Sequence, residues 1–257
     1  MHTATEMQKA HCRKSRNDVF ARIAVVLILL SGVATAQSTN QVIRRIEEQT
    51  AWQTCGACGN TGGTGTLARY LMTRGITSPS LDGSSSQFSI GGTYTPYKNG
   101  YWWIEHPAIS TPVKYLRYEF DILVPSKYTT APQAIEFECQ QHINGRTYNF
   151  AWQAEYAGKR WRVFDYVRKV WDATSVPFQP FQPDVWHHVV AEYHIDGNYA
   201  VHDALMIDGR RTLVGVRHAS QLSSGGNYFT NAFQLDLNGS ATPYKVFVDG
   251  MVVTYRQ

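Results

Sequence analysis

Apolar and polar residues alternate along several short stretches of the chain, the pattern of β-strands with one buried face. The stretch "YLRYEFDILV" puts Leu116, Tyr118 and Phe120 on one face and charged residues on the other. The stretches "TYNFAWQAEY" and "NAFQLDLNG" alternate in the same way. From Ser78 onward such stretches are separated by turn-forming groups, and no long stretch has a helical period. The pattern predicts an all-β fold, an antiparallel sandwich of two sheets.

The stretch "AIEFECQQ" has the same alternation, and its polar face carries side chains that can take part in catalysis or binding. Phe137 and Cys139 are predicted to point into the core, with Cys139 as a buried thiol. Glu136, Glu138 and Gln140 therefore share the outer face. The polar faces of two other predicted strands carry Asn149, Gln153, Gln234 and Asp236.

Two adjacent histidines, His187 and His188, lie in the stretch "WHHVVAEYHI". Successive side chains of a strand point to opposite faces, so this pair is not expected to chelate one ion together. His187 falls on the more apolar face and is predicted to be a core-edge histidine bonded to the backbone. His188 and Glu192 fall on the other face.

The first residues have the order of a secretory signal peptide. A basic segment precedes the short apolar run "IAVVLILL" and the small residues "VATAQ", which predicts cleavage after Ala36 and a secreted protein. The apolar run is shorter than a membrane-spanning helix needs, although an uncleaved anchor stays open. The predicted organisation is a signal peptide at 1–36, a leader or strap at 37–51, and one sandwich domain at 52–257.

Charge and cysteine content narrow the function classes. Residues 1–36 hold five of the 24 Lys and Arg and two of the 20 Asp and Glu, so the remaining chain is nearly neutral and shows no basic patch for nucleic acid. The segment "CGACGNTGGTG" is predicted to be a loop closed by a Cys55–Cys58 disulfide, with free thiols, a redox pair or a metal site as alternatives.

The stretches "WHHVVAEYHIDG…ALMIDGRR", "PFQPFQPDVWHH" and "YKVFVDGMVVTY" resemble laminin-G-like and concanavalin A-like domains. The resemblance covers roughly residues 76–257. It implies a jelly roll whose convex and concave sheets pack together, with a carbohydrate site on the concave side. The superfamily includes lectins, binding modules, glycoside hydrolases and polysaccharide lyases, so the resemblance specifies fold better than function.

The stretch "AIEFECQQ" is also similar to the Glu-x-Asp-x-Glu strand of jelly-roll glucanases, where the first Glu is the nucleophile and the last the acid/base. Here the last position is Gln140, and an amide cannot donate and recover a proton. Glu136 and Glu138 are the candidate catalytic pair, ~7 Å apart along the strand. Glu138 or Glu192 would have to replace the missing acid, provided that the fold brings it opposite Glu136.

The leading hypothesis is binding of a polysaccharide or oligosaccharide on the polar face, with aromatic rings stacking on sugars. The predicted ligand-binding residues are Gln140, Asn149, Gln153, Arg162, Phe164, His188, Gln234 and Asp236. Trp102, Trp103, Trp171 and Trp186 are further candidates, although most tryptophans are expected in the core. A lyase would use His188, Arg162, Gln140 and Tyr166 on a uronate. A non-catalytic envelope or interaction protein is the third hypothesis.

No cofactor is required by these motifs, but the superfamily often binds calcium. Asp208, Asp236, Asn238 and Asp249 are oxygen donors near predicted turns. Asp208-Gly209 and Asp249-Gly250 are both predicted to be hairpin turns, because Asp-Gly favours them. The carboxylates of Glu136 and Glu138 have a structural alternative as well, namely ion pairs with Arg146, Arg160 or Arg162. The oligomeric state is left open.

Overall fold

The computed structural model describes residues 39–54, 68–92, 95–107 and 109–257. The predicted signal peptide and the Cys55–Cys58 loop lie outside the described residues. Sixteen strands are described, and they form two antiparallel sheets. This arrangement confirms the predicted all-β, two-sheet sandwich.

The first sheet, called the back sheet here, has the order β13-β12-β11-β6-β16-β4-β3, with β1 paired to β16. Its strands are β1 (Gln41–Ile43), β3 (Arg69–Ile76), β4 (Ser85–Gly91), β6 (Tyr115–Leu123), β11 (Trp186–Asp196), β12 (Tyr199–Ile207), β13 (Arg210–Ala219) and β16 (Tyr244–Arg256).

The second sheet, called the front sheet, has the order β10-β9-β8-β7-β15-β5-β2, with β14 paired to β8. Its strands are β2 (Gln53–Thr54), β5 (Asn99–His106), β7 (Pro132–Ile143), β8 (Arg146–Glu155), β9 (Arg160–Asp165), β10 (Val170–Pro177), β14 (Gln221–Leu222) and β15 (Tyr228–Leu237). Two one-turn 3-10 helices, Ile46–Glu48 and Ser126–Tyr128, complete the described elements. Within the part of the chain that the structure describes, no helix is long and apolar enough to cross a bilayer.

The core lies between the sheets and is built from the inward residues that alternation predicts. Phe120 of the back sheet packs edge-on against Phe137 of the front sheet, with ring centroids 5.0 Å apart. Phe88 and Phe233 meet across the same interface at 4.7 Å. Cys139 is a fully buried free thiol, as predicted, and accepts a hydrogen bond from Asn231. Burial of these rings is the main stabilising contribution to the sandwich.

The two Asp-Gly pairs behave differently. Asp208 and Gly209 join β12 to β13 with φ values of 50° and 80°, which is the left-handed geometry of a tight hairpin turn. Asp249 and Gly250 instead lie inside β16, where the register with β6 shifts. Gly250 has a φ of 60° and marks a β-bulge, so the predicted second hairpin turn is wrong.

The described part of the leader packs against the sandwich. β1 pairs with β16, and the following 3-10 helix buries Ile46 and Glu47. The Glu47 carboxylate accepts a hydrogen bond of 3.0 Å from the Met251 N–H. Burial is the main cause that raises the pKa of Glu47 to about 7, and nearby Asp249 adds to it. Residues 41–48 therefore form part of the folded unit.

This buried carboxyl group predicts a pH effect on stability. A carboxyl group with a raised folded pKa stabilises the protein below its unfolded pKa, and that contribution is lost as pH rises through about 7. We expect Glu47→Gln to be more stable than the parent by about 2–3 kcal/mol at pH 8 and nearly equal at about pH 4.5. Urea unfolding at each pH measures the difference.

Glu48→Gln is the matched control for this prediction. Glu48 is the next residue, and its hydrogen bond to Arg45 is the main cause that lowers the pKa of its carboxyl group. Its replacement should not add stability at pH 8. Equal pH profiles for the Glu47→Gln variant and the parent would contradict the burial argument.

Candidate functional site

A cleft of about 750 Å³ opens on the outer face of the front sheet. Its floor comes from β5, β7, β8 and β15, which are neighbours in that sheet. Because Phe137 and Cys139 point into the core, Glu136 and Glu138, which alternate with them along the strand, point into this cleft. The lining residues are Tyr97, Asn99, Tyr101, Gln133, Glu136, Glu138, Gln140, Asn149, Ala151, Gln153, Phe164, Tyr166, Trp171, Gln234 and Asp236.

Glu138 accepts hydrogen bonds from three side chains. The amide nitrogens of Gln140 and Asn149 lie 3.1 Å and 3.0 Å from its Oε2. The Tyr101 hydroxyl donates to its Oε1. Burial, followed by the charge of Glu138, raises the pKa of Tyr101 well above its usual range, so this phenol keeps its proton. Three hydrogen-bond donors directed at one carboxyl group suit its ionised form, which only accepts hydrogen bonds.

Glu136 forms a carboxyl pair with Asp236 of the adjacent strand. The amide nitrogen of Gln234 lies 2.7 Å from Glu136 and 2.9 Å from Asp236, while Gln153 donates to Glu136 at 2.6 Å. Burial, and then the neighbouring Asp236 charge, raise the pKa of Glu136 well above its usual range. Burial also raises the pKa of Asp236 to about 6. Two carboxyl groups in contact cannot both ionise readily, so the pair retains one proton at neutral pH.

One wall of the cleft is aromatic. The rings of Phe164 and Trp171 lie 5.0 Å apart on the paired strands β9 and β10, and Tyr166 follows 6.1 Å from Phe164. Because β10 is the edge strand of the front sheet, this wall borders the polar floor on one side only. The site therefore combines ring faces with a floor of carboxyl and amide groups.

Eight of the predicted site residues meet in this cleft. They are Glu136, Glu138, Gln140, Asn149, Gln153, Phe164, Gln234 and Asp236. Arg162 lies nearby on β9, but its guanidinium pairs with Glu155 at 2.8 Å and does not line the cleft. The ion pairs proposed between arginines and Glu136 or Glu138 are not formed, since amides and a phenol occupy these carboxyl groups.

Glu192 and His188 are not brought to the cleft. Both lie on β11 in the back sheet, where Glu192 pairs with Arg211 and His188 pairs with Asp121. Glu192 therefore cannot act opposite Glu136. His188 cannot supply a base beside Gln140 and Tyr166, so the predicted lyase set is also separated between the sheets.

The adjacent histidines diverge as the strand geometry predicts. His187 contacts Asp208, the Gln182 carbonyl and the Phe181 ring at the core edge. His188 bonds Asp121 from the other face. The candidate calcium donors also have separate partners, because Asp249 accepts from Ser80 and Leu81 while Asp236 belongs to the carboxyl pair.

One further group of possible metal ligands occurs in the described ranges, formed by Asp165, Asp172 and His218. Arg168 donates to both aspartates, and His218 contacts Asp172 at 3.0 Å. These polar groups already satisfy one another.

Sequence reasoning missed five lining residues, namely Tyr97, Asn99, Tyr101, Gln133 and Ala151. Tyr101 was detectable in principle, because "NGYWWIEH" alternates and puts Tyr101 on the face opposite the buried Trp102. Of the four candidate tryptophans, Trp171 alone lines the cleft, and Trp102 is a core residue.

No protein-family model and no curated protein matches the chain. Solved structures with a similar fold include an endo-β-1,4-glucuronan lyase from the fungus Trichoderma reesei, which is 10% identical, with 79% of this chain and 94% of that chain covered and a TM-score of 0.49. Peanut lectin is 8% identical, with 86% and 99% covered and a TM-score of 0.46. At these identities the similarity concerns the fold alone.

A third similar structure is the family 11 carbohydrate-binding module from Clostridium thermocellum in complex with a β-1,3-1,4-mixed-linked tetrasaccharide. It is 14% identical, with 83% of this chain and 94% of that chain covered and a TM-score of 0.40. The function of this chain has to be inferred from its own cleft.

Proposed function

We propose that the protein is secreted and binds a polysaccharide or oligosaccharide in the front-sheet cleft. The observation that carries the proposal is the composition of this cleft, an aromatic wall beside a floor of carboxyl and amide groups. Sugar C–H faces pack on aromatic rings, and sugar hydroxyls both donate to carboxylates and accept from amides. Secretion rests on the pattern of residues 1–36.

The floor is already ordered by its own hydrogen bonds. Gln140 and Asn149 hold Glu138, while Gln153 and Gln234 hold Glu136. A prearranged polar floor lowers the ordering cost of binding, because fewer side chains lose rotamer freedom when a ligand arrives. An interaction protein with an apolar docking strip would need a different outer face.

Glycoside hydrolysis is the second candidate, favoured by the contrast between the proton-bearing Glu136 pair and the carboxylate surroundings of Glu138. Carboxyl groups with different proton occupancy in one cleft can serve as acid and base. Against this, Gln140 occupies the acid/base position of the glucanase pattern. In addition, each oxygen of Glu136 contacts an amide nitrogen. Simple binding requires none of these groups to move.

The test is a panel of polysaccharides scored for both retention and release of reducing ends. We expect the protein without residues 1–36 to retain at least one glycan without forming product. Glu138→Gln should weaken retention about tenfold or more, because an amide cannot accept from all three donors and the charged hydrogen bonds are lost.

Glu192→Gln is the matched control, an identical change on the back sheet that should leave retention unaltered. Trp171→Ala removes an aromatic contact at the sheet edge and should also weaken binding, which guards against a folding defect in the Glu138→Gln variant. If the parent released reducing ends and the Glu138→Gln variant did not, the protein would be a hydrolase instead. Failure to retain any glycan would refute the proposed function.

A further inference from the structure

The ionisable side chains that line the cleft include carboxyl groups and no cationic group among the described residues. Among the described residues that line it, Glu136, Glu138 and Asp236 carry carboxyl groups and none is Lys, Arg or His. The Glu136–Asp236 pair keeps one proton at neutral pH, so the cleft still holds negative charge from that pair and from Glu138. A ligand with acidic groups would meet this charge without a cation to offset it.

A second hollow of about 460 Å³ adjoins the cleft. Tyr97 and Gln133 line both, and the cleft and this hollow together are called the groove here. The second hollow is lined by uncharged described residues, and those with hydroxyl or amide groups include Thr129, Thr130, Tyr156 and Asn238. Hydroxyl and amide groups thus extend the polar surface beyond the floor of the cleft, which suits an extended chain of sugars better than one sugar unit.

Three of the cations near the cleft are held by other groups. Arg162 pairs with Glu155 and donates to the Trp171 carbonyl. Lys169 lies 3.4 Å from the centre of the Tyr166 ring and contacts Gln221. Arg146 donates to Ser220. Recruiting any of them to an acidic sugar would require breaking one of these contacts.

We propose that the groove binds a glycan chain free of acidic groups, and that it rejects the uronate counterpart of the same backbone. This inference rests on the proposed glycan binding and adds its ligand class. Like charges that are brought together at a partly desolvated interface cost binding free energy, whereas hydroxyl groups pair with the carboxylates and amides of the floor. The same charge opposes a lyase, whose uronate substrate needs a cationic group to neutralise it.

The test uses glycans that share a backbone and differ in charge. Cello-oligosaccharide is compared with its C6-oxidised glucuronan and with chitosan oligosaccharide, and mannan oligosaccharide with polymannuronate. Titration calorimetry with the protein without residues 1–36 measures each affinity, with EDTA and again with calcium chloride. We expect one neutral backbone to bind at least about tenfold more tightly than its uronate, with or without calcium. Chitosan should bind no more weakly than that uronate.

A variant with an added positive charge makes the test specific to the charge of the cleft. Gln133→Lys puts a cation where the two hollows meet and should narrow the gap between neutral and uronate members at least several-fold, whereas Gln133→Met should not. A uronate that binds as tightly as its neutral partner, in calcium or in EDTA, overturns the inference and leaves glycan binding intact. If no glycan of either kind binds in this or the wider panel, the proposed function itself fails.

Discussion

Replacing His202 with leucine is expected to remove much of the loss of stability that acid causes in the folded protein. His202 is fully buried, and burial is the main cause that lowers the pKa of its imidazole to about 3. In the unfolded chain the same group titrates near 6.5. Its contribution to stability is therefore present above pH 6.5 and is lost as pH falls toward 3.

The surroundings of His202 explain why it stays neutral. Its ring lies among Phe150, Trp152 and Tyr193, with centroid distances of 5.5 to 6.1 Å. Neither ring nitrogen has a hydrogen-bonding partner, although backbone groups of Ala151 and Val216 lie near. His218, the facing titratable side chain at 5.9 Å, further disfavours a positive charge. A protonated ring would be a buried charge without compensation.

The measurement is the free energy of unfolding in urea between pH 6.5 and about pH 4.5. The stability of His202→Leu relative to the parent should rise by about 2–2.5 kcal/mol across this range, because each pH unit well below 6.5 contributes about 1.4 kcal/mol and roughly half of the unfolded imidazole is already protonated at pH 6.5. His194→Leu is the control, because His194 is 40% exposed and pairs with Asp203. Glu47 acts with the opposite sign, so each variant is compared with the parent at the same pH. A constant difference would contradict the burial of a neutral imidazole.

Alternation along single strands predicted most of the floor of the cleft. On β7, buried Phe137 and Cys139 force Glu136 and Glu138 to the outer face, and the same alternation on β15 turns Gln234 and Asp236 toward the cleft. Such faces follow from the two-residue period of a strand, which is a local property of the sequence. Prediction of the cleft floor therefore needed only the two-residue period and a buried opposite face.

Contacts between strands could not be predicted in this way. Glu192, like Glu136, lies on the polar face of its strand. However, β11 joins the back sheet beside β6, while β7 joins the front sheet. Tyr101 reaches Glu138 across the intervening strand β15. Strand order depends on how the whole chain packs, and no local pattern states it.

The two Asp-Gly pairs illustrate the same limit at shorter range. Both place glycine at positive φ, but Asp208-Gly209 turns the chain whereas Asp249-Gly250 forms a bulge within β16. The buried Asp249 is held by Ser80 and Leu81, which are distant in sequence. The dipeptide indicates left-handed backbone, and tertiary contacts determine whether the strand ends there.

Truncating Phe137 should cause a large loss of stability, because this ring joins the two sheets directly beneath the cleft. It packs against Tyr118 and Phe120 of the back sheet and against Trp161 of the front sheet. We expect Phe137→Ala to lower the free energy of unfolding by about 3–5 kcal/mol, from lost burial and the cavity left behind. That is a large share of the roughly 5–15 kcal/mol typical of a domain, and urea denaturation measures it.

Phe164→Ala makes the same chemical change on the outer face of the same sheet, where the ring lines the cleft. It should cost about 1 kcal/mol of stability and yet weaken glycan retention about tenfold, since the aromatic wall loses its central ring. Phe137→Leu keeps most of the volume and should cost less than Phe137→Ala. If both alanine variants lost similar stability, Phe164 would be a core residue, and the separation of a stabilising inner face from a binding outer face would be wrong.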